Sequence, residues 1–556
     1  MTPLTIKMAH RRSVLSVAAA FLILLLTLGL LATTENTLWW FAYAATVTAA
    51  IASFIAFATR RLLFAGVTTL VLLTGILLVS RVKIATMTMS LHAYDIFFYT
   101  DLSTFNFLWS GYRGYVVAAI AFVAFALIVA TLAWRFDGSR CPRVFSAAAF
   151  LLMVACVALF GTVTNGLVFE LFERNSVSVS TYYRTWPAAI ATIFGRQPFA
   201  ASAHGALPRC APQPACAPST KPPNILLIHQ ESLVEPSLFP QLNYNHDLDR
   251  FFLSDDNRLH KLRVEVFGGA SWITDFSIMA GDSIRFFGGI RVFLQVLLTG
   301  RLTEALPQIL RTCGYRNVLF FPFDGSFVGL DKFYRSIGFD QVIDWKAQGT
   351  KTYYERDRVY FQNAMAMMEQ HFRSSEQPLF TYVQTMTAHG PYTRQYMPEE
   401  DVAGGGPGTP PEMSEYLRRA AMVQRDGEAL IEELKQRFPN ERFVIIRFGD
   451  HQPVATRDYW PPDFRSSVDT SDAFITFYAI KGQNVVIPPL PAPDVVDVAY
   501  LGTIILDAAS LPLTDAHRQR KLLMELCNGR YYGCERRDAI GDFHQRLIKS
   551  DIIQAR

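Results

Sequence analysis

The sequence predicts an α-helical membrane domain followed by an α/β domain built on a mostly parallel sheet with helices on both faces. Two observations carry this. Apolar stretches long enough to cross a bilayer fill the first 165 residues, and after about residue 220 short β-branched runs alternate with amphipathic stretches of mixed polarity. A chain of 556 residues also exceeds what one compact core can organise, so at least two domains are expected.

A membrane-crossing helix needs about 20 mostly apolar residues. Five stretches qualify: Ser13 to Ala32, Leu38 to Ala58, Leu62 to Ser80, Tyr115 to Trp134 and Val144 to Thr164, the second diluted by Thr and Ala. The first is long and is followed at once by further spans, which reads as a retained anchor rather than a cleaved leader. Lys7, Arg11 and Arg12 precede the first span, Arg60 and Arg61 follow the second, and Arg135, Arg140 and Arg143 follow the fourth. These belong on the cytoplasmic face, which puts everything after Gly166 outside. Arg81, Lys83 and Arg113 in the third loop blunt the bias slightly. The expected location is a membrane, multi-pass, with the second domain periplasmic or extracellular.

The expected boundaries are a five-span domain over 1–165, an interfacial helix and Pro/Ala-rich linker over 166–221, an extracytoplasmic domain over 222–515 and a C-terminal extension over 516–556. The segment STYYRTWPAAIATIFG suits the bilayer interface, and the aromatic stretch LHAYDIFFYTDLSTFNFLWSGY suits an interfacial belt or a platform for a lipid. Cys210 with Cys216 and Cys527 with Cys534 are close pairs in segments assigned to an oxidising compartment, so two local disulfides are expected and Cys313 is left as a buried thiol. Neither pair has the spacing of a zinc site. A net charge of +4 with no basic block or aromatic-basic alternation argues against nucleic acid as a partner.

In the second domain the strand candidates are Asn224 to Ile228, Asn317 to Phe323, Leu379 to Thr385 and Arg442 to Phe448, with a further one near AFITFYAI. Ligands collect outside the carboxyl ends of such strands. Just past them stand His229, Gln230 and Glu231, then Asp324, then His389, then Gly449, Asp450 and His451. Glu231, Asp450 and His451 offer two oxygen donors and one nitrogen donor, a set suited to a divalent cation such as zinc or manganese. In VFGGASWITDFSIMAGD, Gly268 and Gly269 permit close backbone approach, Ser271 is a good N-cap and the rest can form a helix ending at Gly281. A hydroxyl there sits among free N–H groups that favour phosphate, and a bound metal would make it a competent nucleophile.

The succession PPNILLIHQES, GGASWITDFSIMAG, TAHGPY and FGDHQP after five spans resembles the membrane-anchored lipoteichoic acid synthase and phosphoglycerol transferase branch of the alkaline phosphatase and sulfatase superfamily. The resemblance implies one divalent metal ion, Mn or Zn with Mg possible, held by Glu231, Ser271, Asp450 and His451. It implies Ser271 as nucleophile, with Thr274 the alternative one turn further in, and His389 in contact with substrate; Asp324 is a further candidate for substrate binding. The implied reaction is transfer of a phosphoglycerol or phosphoethanolamine head group from a membrane phospholipid to a glycan or lipid acceptor through a Ser-linked intermediate. A sulfatase or phosphodiesterase-type hydrolase is the alternative, and a non-catalytic tethered binding protein the second. Two departures stand out. The family nucleophile is usually Thr, and the Arg that grips the head group in the synthases has no register match, Lys332 and Arg335 lying nearby. Sulfatases proper modify a Cys or Ser followed by Pro two residues on and Arg four residues on, where this chain has Ile273 and Asp275.

Overall fold

The computed structural model describes residues 3–87, 89–100, 102–164, 179–194, 210–211, 216, 221–352, 354–461, 464, 468–491 and 493–554. The chain divides into two units, Met1–Gly195 and Arg196–Arg556. The Pro/Ala-rich linker expected before residue 221 lies largely outside the described residues.

The first unit is helical: α1 (Pro3–Ala32), α2 (Leu38–Thr59), α3 (Leu62–Met87), α4 (Ala93–Phe98), α5 (Leu102–Gly111), α6 (Arg113–Phe136), α7 (Arg143–Thr164) and α8 (Val179–Phe194). Five of them, α1, α2, α3, α6 and α7, are long and apolar enough to cross a membrane, and they coincide with the five stretches the sequence marks out. The dilution of α2 by small residues has a packing reason. Tyr43, Ala44, Thr48, Ala50 and Ala56 of α2 are buried, and Thr48 satisfies its hydroxyl on the Ala44 carbonyl at 2.7 Å. Small side chains let helices approach where apolar surface alone gives no drive to associate. Lys83, one of the cations that blunted the orientation bias, pairs with Asp95 at 2.7 Å, so its charge is neutralised locally. The aromatic stretch forms α4, α5 and their connection, and STYYRTWPAAIATIFG lies mainly in α8, which accommodates Pro187.

The second unit is organised by an eight-stranded sheet in the order β4-β3-β5-β1-β6-β7-β2-β8. Its strands are β1 (Asn224–Gln230), β2 (His260–Arg263), β3 (Arg316–Phe320), β4 (Gln341–Ile343), β5 (Leu379–Gln384), β6 (Phe443–Gly449), β7 (Ile475–Gln483) and β8 (Val495–Asp497). The block from β4 to β6 is parallel, and β7 runs antiparallel to β6 and to β2. The central strands β1, β5 and β6 are buried throughout, which is why they read as continuous apolar runs. The alternation within β1 separates two faces. Leu226 and Ile228 pack with Val318, Phe320 and Val383 beneath Tyr360, Met365 and Met368 of the helix Asp357–Ser374, and with Leu430 and Leu434 of the helix Pro411–Arg437. The opposite face carries Leu227 and His229, aligned in register with Tyr382 and Gln384 of β5 and with Ile446 and Phe448 of β6. That face supports the site.

The expected disulfide pattern is half corrected. Cys527 and Cys534 are joined, but Cys216 bonds Cys313 across 97 residues, with Cα atoms 4.9 Å apart. Cys313 caps the helix Leu306–Thr312, and the fold brings that helix end to Cys216; spacing along the chain could not rank this partner against the nearer Cys210. Cys210 is instead a buried thiol whose backbone N–H donates to Ser550 Oγ at 2.8 Å. The expected local Cys210–Cys216 bond and the free Cys313 thiol are therefore both wrong.

Asp357 joins the Asp357–Ser374 helix to the loop after β5. Its Oδ1 accepts from the backbone N–H of Met386 at 3.1 Å and of Thr387 at 2.8 Å, and its own N–H donates to Thr387 Oγ1 at 2.8 Å. Burial, with Asp426 adding, pushes the carboxyl from 3.8 up to about 6. The unfolded chain therefore loses this proton at lower pH than the folded one, and stability falls as pH rises between roughly 4 and 6. Asp357→Asn should remove that loss, gaining about 2 kcal/mol over the native chain above pH 7 and nearly nothing at pH 4. Melting midpoints of the two full-length proteins, followed by tryptophan fluorescence across that range, should diverge by a few degrees as pH rises.

Candidate active site

Three polypeptide segments converge at the carboxyl end of β1 and β6. Gln230 pairs with Gly449 at the last rung, so Glu231 and Asp450 leave the sheet side by side. Gly449 is required there, because a Cβ would stand 1.9 Å from the Leu233 carbonyl oxygen. The turn closes through Ser232, in the left-handed region at φ 56°, whose N–H donates to Asp450 Oδ1 at 2.8 Å. The third segment enters through Gly268, Gly269 and Ala270, all at positive φ, and opens helix α9 (Ser271–Ala280), which Gly281 ends at φ 63° as the sequence predicts. Ser271 is the first helical residue rather than the cap, a shift of one position from the expectation. It stays among the free N–H groups of the first turn.

Ser271 Oγ donates to Glu231 Oε2 at 2.8 Å. His451 Nε2 lies 3.3 Å from both Glu231 Oε1 and Asp450 Oδ2. The four expected ligands are thus brought together. Thr274 is spent elsewhere: fully buried, it donates to the Asp450 carbonyl at 2.8 Å and fixes the helix to the β6 end. Sequence reasoning gave His229 no ligand role and noted Asp275 only as a departure from the sulfatase motif. His229 Nε2 is 3.1 Å from Asp450 Oδ2 and 3.6 Å from Glu231 Oε2. Asp275, on α9, accepts from Tyr334 and Gln384 at 2.7 Å each and from Tyr382, and its Oδ1 is 3.1 Å from His229 Nδ1. The available signal was that Ser271 and Asp275 lie one helical turn apart, so both face the sheet edge.

Whether these residues suit a cation can be judged from their unused atoms. His229 Nε2, Asp450 Oδ2 and His451 Nε2 are buried and have no hydrogen-bond partner, although they lie close together. Donor atoms of His229, Glu231 and Asp450 all fall within 4.8 Å of one another. Buried polar atoms are ordinarily satisfied, so three orphans lying this close together suit a ligand set. The field agrees. Burial alone would raise Glu231, but contacts with His229 and His451 outweigh it and hold the carboxyl well below its usual range. Burial likewise opposes charging of His451, yet Asp450 and Glu231 push it up to about 9. The pocket favours positive charge, and the donors fit a divalent metal.

His389 stands beyond the end of β5, half-buried. Arg419 donates to the carbonyls of His389, Pro391 and Arg394, the latter two at 2.9 and 3.0 Å, and so pins the loop. Asp324 is occupied differently: Lys346 Nζ lies 2.6 Å from its Oδ2 and the Ser326 N–H 2.9 Å from its Oδ1. These contacts outweigh burial and lower its carboxyl below the usual value. Its observed partners are those of a turn.

The far end of α9 is held by the C-terminal segment. Arg520, fully buried, donates from Nε to the Gly281 carbonyl at 2.7 Å and from Nη2 to the Ala280 carbonyl at 3.1 Å. A cation on terminal carbonyls also opposes the negative end of the helix dipole. Tyr531 and His544 bind Asp282 just beyond, at 3.0 and 2.7 Å. Arg520→Ala should leave those carbonyls unpaired and destabilise the second unit by about 2–4 kcal/mol. A lowered melting midpoint, partly restored by Arg520→Lys, is the expected measurement.

With the geometry in view, the kinship of the chain can be stated. A family model described as Sulfatase matches residues 293–467, a segment that contains Asp324, His389, Asp450 and His451 and follows Glu231 and Ser271. Among curated proteins, an uncharacterised protein of Haemophilus influenzae is 24% identical over 324 residues, covering 55% of this chain and 54% of that protein. Lipoteichoic acid synthase 2 of Bacillus subtilis is 22% identical over 215 residues, covering 38% of this chain and 31% of that protein. The chain thus spans about half, or less, of the length of these relatives. Among solved structures, the Streptococcus pyogenes phosphoglycerol transferase GacH in complex with sn-glycerol-1-phosphate aligns with a TM-score of 0.49 at 14% identity, covering 63% of this chain and 97% of that one.

Proposed function

We propose that this protein is a metal-dependent membrane enzyme that transfers a phospholipid-derived head group, phosphoglycerol or phosphoethanolamine, to a glycan or lipid acceptor through a covalent intermediate on Ser271. One observation carries the reading: the Ser271 hydroxyl, 2.8 Å from Glu231, stands at a helix N-terminus against three buried, unpartnered donor atoms. The match to a lipoteichoic acid synthase supports the choice of substrate class. The cationic residues flanking the spans support an inner-membrane protein whose second unit faces the periplasm or exterior.

A divalent cation, manganese or zinc, held by Glu231, Ser271, Asp450 and His451 would favour the serine alkoxide and offset charge on the phosphoryl oxygens. Ser271 Oγ attacks phosphorus, and its proton passes to the departing oxygen. The Oγ–P bond forms as the bond from phosphorus to the diacylglycerol oxygen breaks, and diacylglycerol leaves with that proton. The free N–H groups of the first turn of α9 hold the phosphoryl oxygens. In the second step an acceptor hydroxyl attacks phosphorus, the Oγ–P bond breaks, and His389 relays the acceptor's proton back to Ser271. Membrane tethering keeps the site near a concentrated lipid donor.

The family model's name raises sulfate ester hydrolysis. Against an aldehyde-forming motif stands Asp275, at the position the motif gives to Arg and enclosed by Tyr334, Tyr382, Gln384 and His229. An unmodified serine suits phosphoryl transfer. Incubating the full-length protein in detergent with head-group-labelled phosphatidylglycerol or phosphatidylethanolamine should release diacylglycerol and leave label on the Ser271 peptide by mass spectrometry. An aldehyde at position 271, or neither product with either lipid, would refute the proposal.

A further inference from the structure

Resting on the cation site proposed above, we infer that His229 is a second imidazole ligand of that cation, oriented by Asp275, so that the site is richer in nitrogen than the set read from sequence. The inference starts from β1. Alternation puts His229 on the same sheet face as Tyr382 and Gln384, opposite α9, and Asp275 projects from α9 into the space between them. The imidazole is 1% exposed. Its two nitrogens have different surroundings. Nδ1 lies 3.1 Å from Asp275 Oδ1 and 3.2 Å from the Tyr382 hydroxyl, whereas Nε2 has no hydrogen-bond partner.

The distances decide between a ligand and a buried ion pair. His229 Nε2 and Asp450 Oδ2 are 3.1 Å apart, an ion-pair distance, yet neither atom has a hydrogen-bond partner. Glu231 Oε2 lies 3.6 Å from the first and His451 Nε2 3.3 Å from the second, so the four donors border one space that a shared cation would satisfy. An imidazole whose Nδ1–H is held by a carboxylate presents a fixed, basic Nε2 lone pair, the arrangement by which outer carboxylates orient metal-binding histidines. Asp275 is itself fixed by Tyr334 and Gln384, each at 2.7 Å, so the ring has little freedom to turn away. Asp275 is a positioning residue; it acts through His229. Two imidazoles beside carboxylate oxygens favour a borderline ion such as zinc over Mg2+, which prefers oxygen alone.

The test uses the full-length chain in detergent, stripped with chelator and reloaded with one equivalent of Zn2+. X-ray absorption should show outer-shell scattering from two imidazoles in the native protein and from one in His229→Gln. Competition with a chromophoric chelator should show Zn2+ affinity falling by about 100-fold or more in His229→Gln, by about 10-fold in Asp275→Asn, and no further in the double variant than in His229→Gln. Mg2+ affinity should change far less in each. Melting midpoints of the metal-free proteins separate lost folding from lost ligation, and the imidazole count in the native protein needs no variant to fold. One imidazole in the native protein, or unchanged Zn2+ affinity in a folded His229→Gln, would overturn this inference while leaving the four-residue site standing. No bound Zn2+ in the native protein would overturn both.

Discussion

Ser271→Ala is expected to lower head-group transfer by roughly 1,000-fold or more, because it removes the atom to which the phosphoryl group becomes bonded. The loss should fall on turnover and leave lipid binding nearly intact. The labelled Ser271 adduct should vanish at the same time. Ser271→Thr keeps a hydroxyl 2.8 Å from Glu231 in a position where the neighbouring backbone already admits a helix start, and should retain a measurable rate. Thr274→Val provides the contrast. Thr274 is buried and bonded to the Asp450 carbonyl, so its replacement should lower the melting midpoint, by about 1 kcal/mol in stability, while the adduct at Ser271 still forms. An adduct surviving in Ser271→Ala, or lost only in Thr274→Val, would move the nucleophile to Thr274.

Much of this architecture was readable from residues, and the reasons are physical. The membrane helices declare themselves because lipid demands an unbroken apolar run, and even the dilute α2 remained long enough to recognise. The central strands declare themselves because burial on both faces makes Ile225–Ile228 and Phe443–Ile446 unbroken apolar runs. β2, β4 and β8, of four, three and three residues, carry no such signal and were missed. Reading just past each strand found Glu231, Asp450 and His451, since a parallel sheet gathers its ligands there. It set His229 just past the strand and gave it no ligand role, whereas β1 runs on to Gln230 and only the register with Gln384 reveals what His229 faces. Asp275 was hidden for a related reason: its four partners come from β1, β5 and the segment holding Tyr334, which no local spacing brings together. The Cys216–Cys313 bond failed on the same ground, a long-range pairing judged by short-range distance.

Asp450→Asn is expected to cost the cation and the activity together while sparing the fold. The carboxylate is fully buried; Oδ1 is satisfied by the Ser232 N–H at 2.8 Å, and Oδ2 is one of the three unpartnered donor atoms. An asparagine of the same shape can keep its oxygen on Ser232, which then places an N–H₂ where Oδ2 stood. That group has no lone pair to offer, and its hydrogens point toward His229 Nε2 and His451 Nε2, 3.1 and 3.3 Å from the original oxygen. Divalent-ion affinity should therefore drop by about 100-fold or more, a larger loss than for an orienting residue such as Asp275. The fold should respond differently. In the metal-free protein the substitution keeps the Ser232 contact but takes a buried carboxylate away from His229 and His451, so the chain should still fold with a modestly lower metal-free melting midpoint. The native protein should melt higher with saturating Zn2+ or Mn2+ than without, and Asp450→Asn should lose that increment along with its turnover. A variant that keeps full ion-dependent stabilisation and full diacylglycerol release would show that the chemistry does not pass through the end of β6.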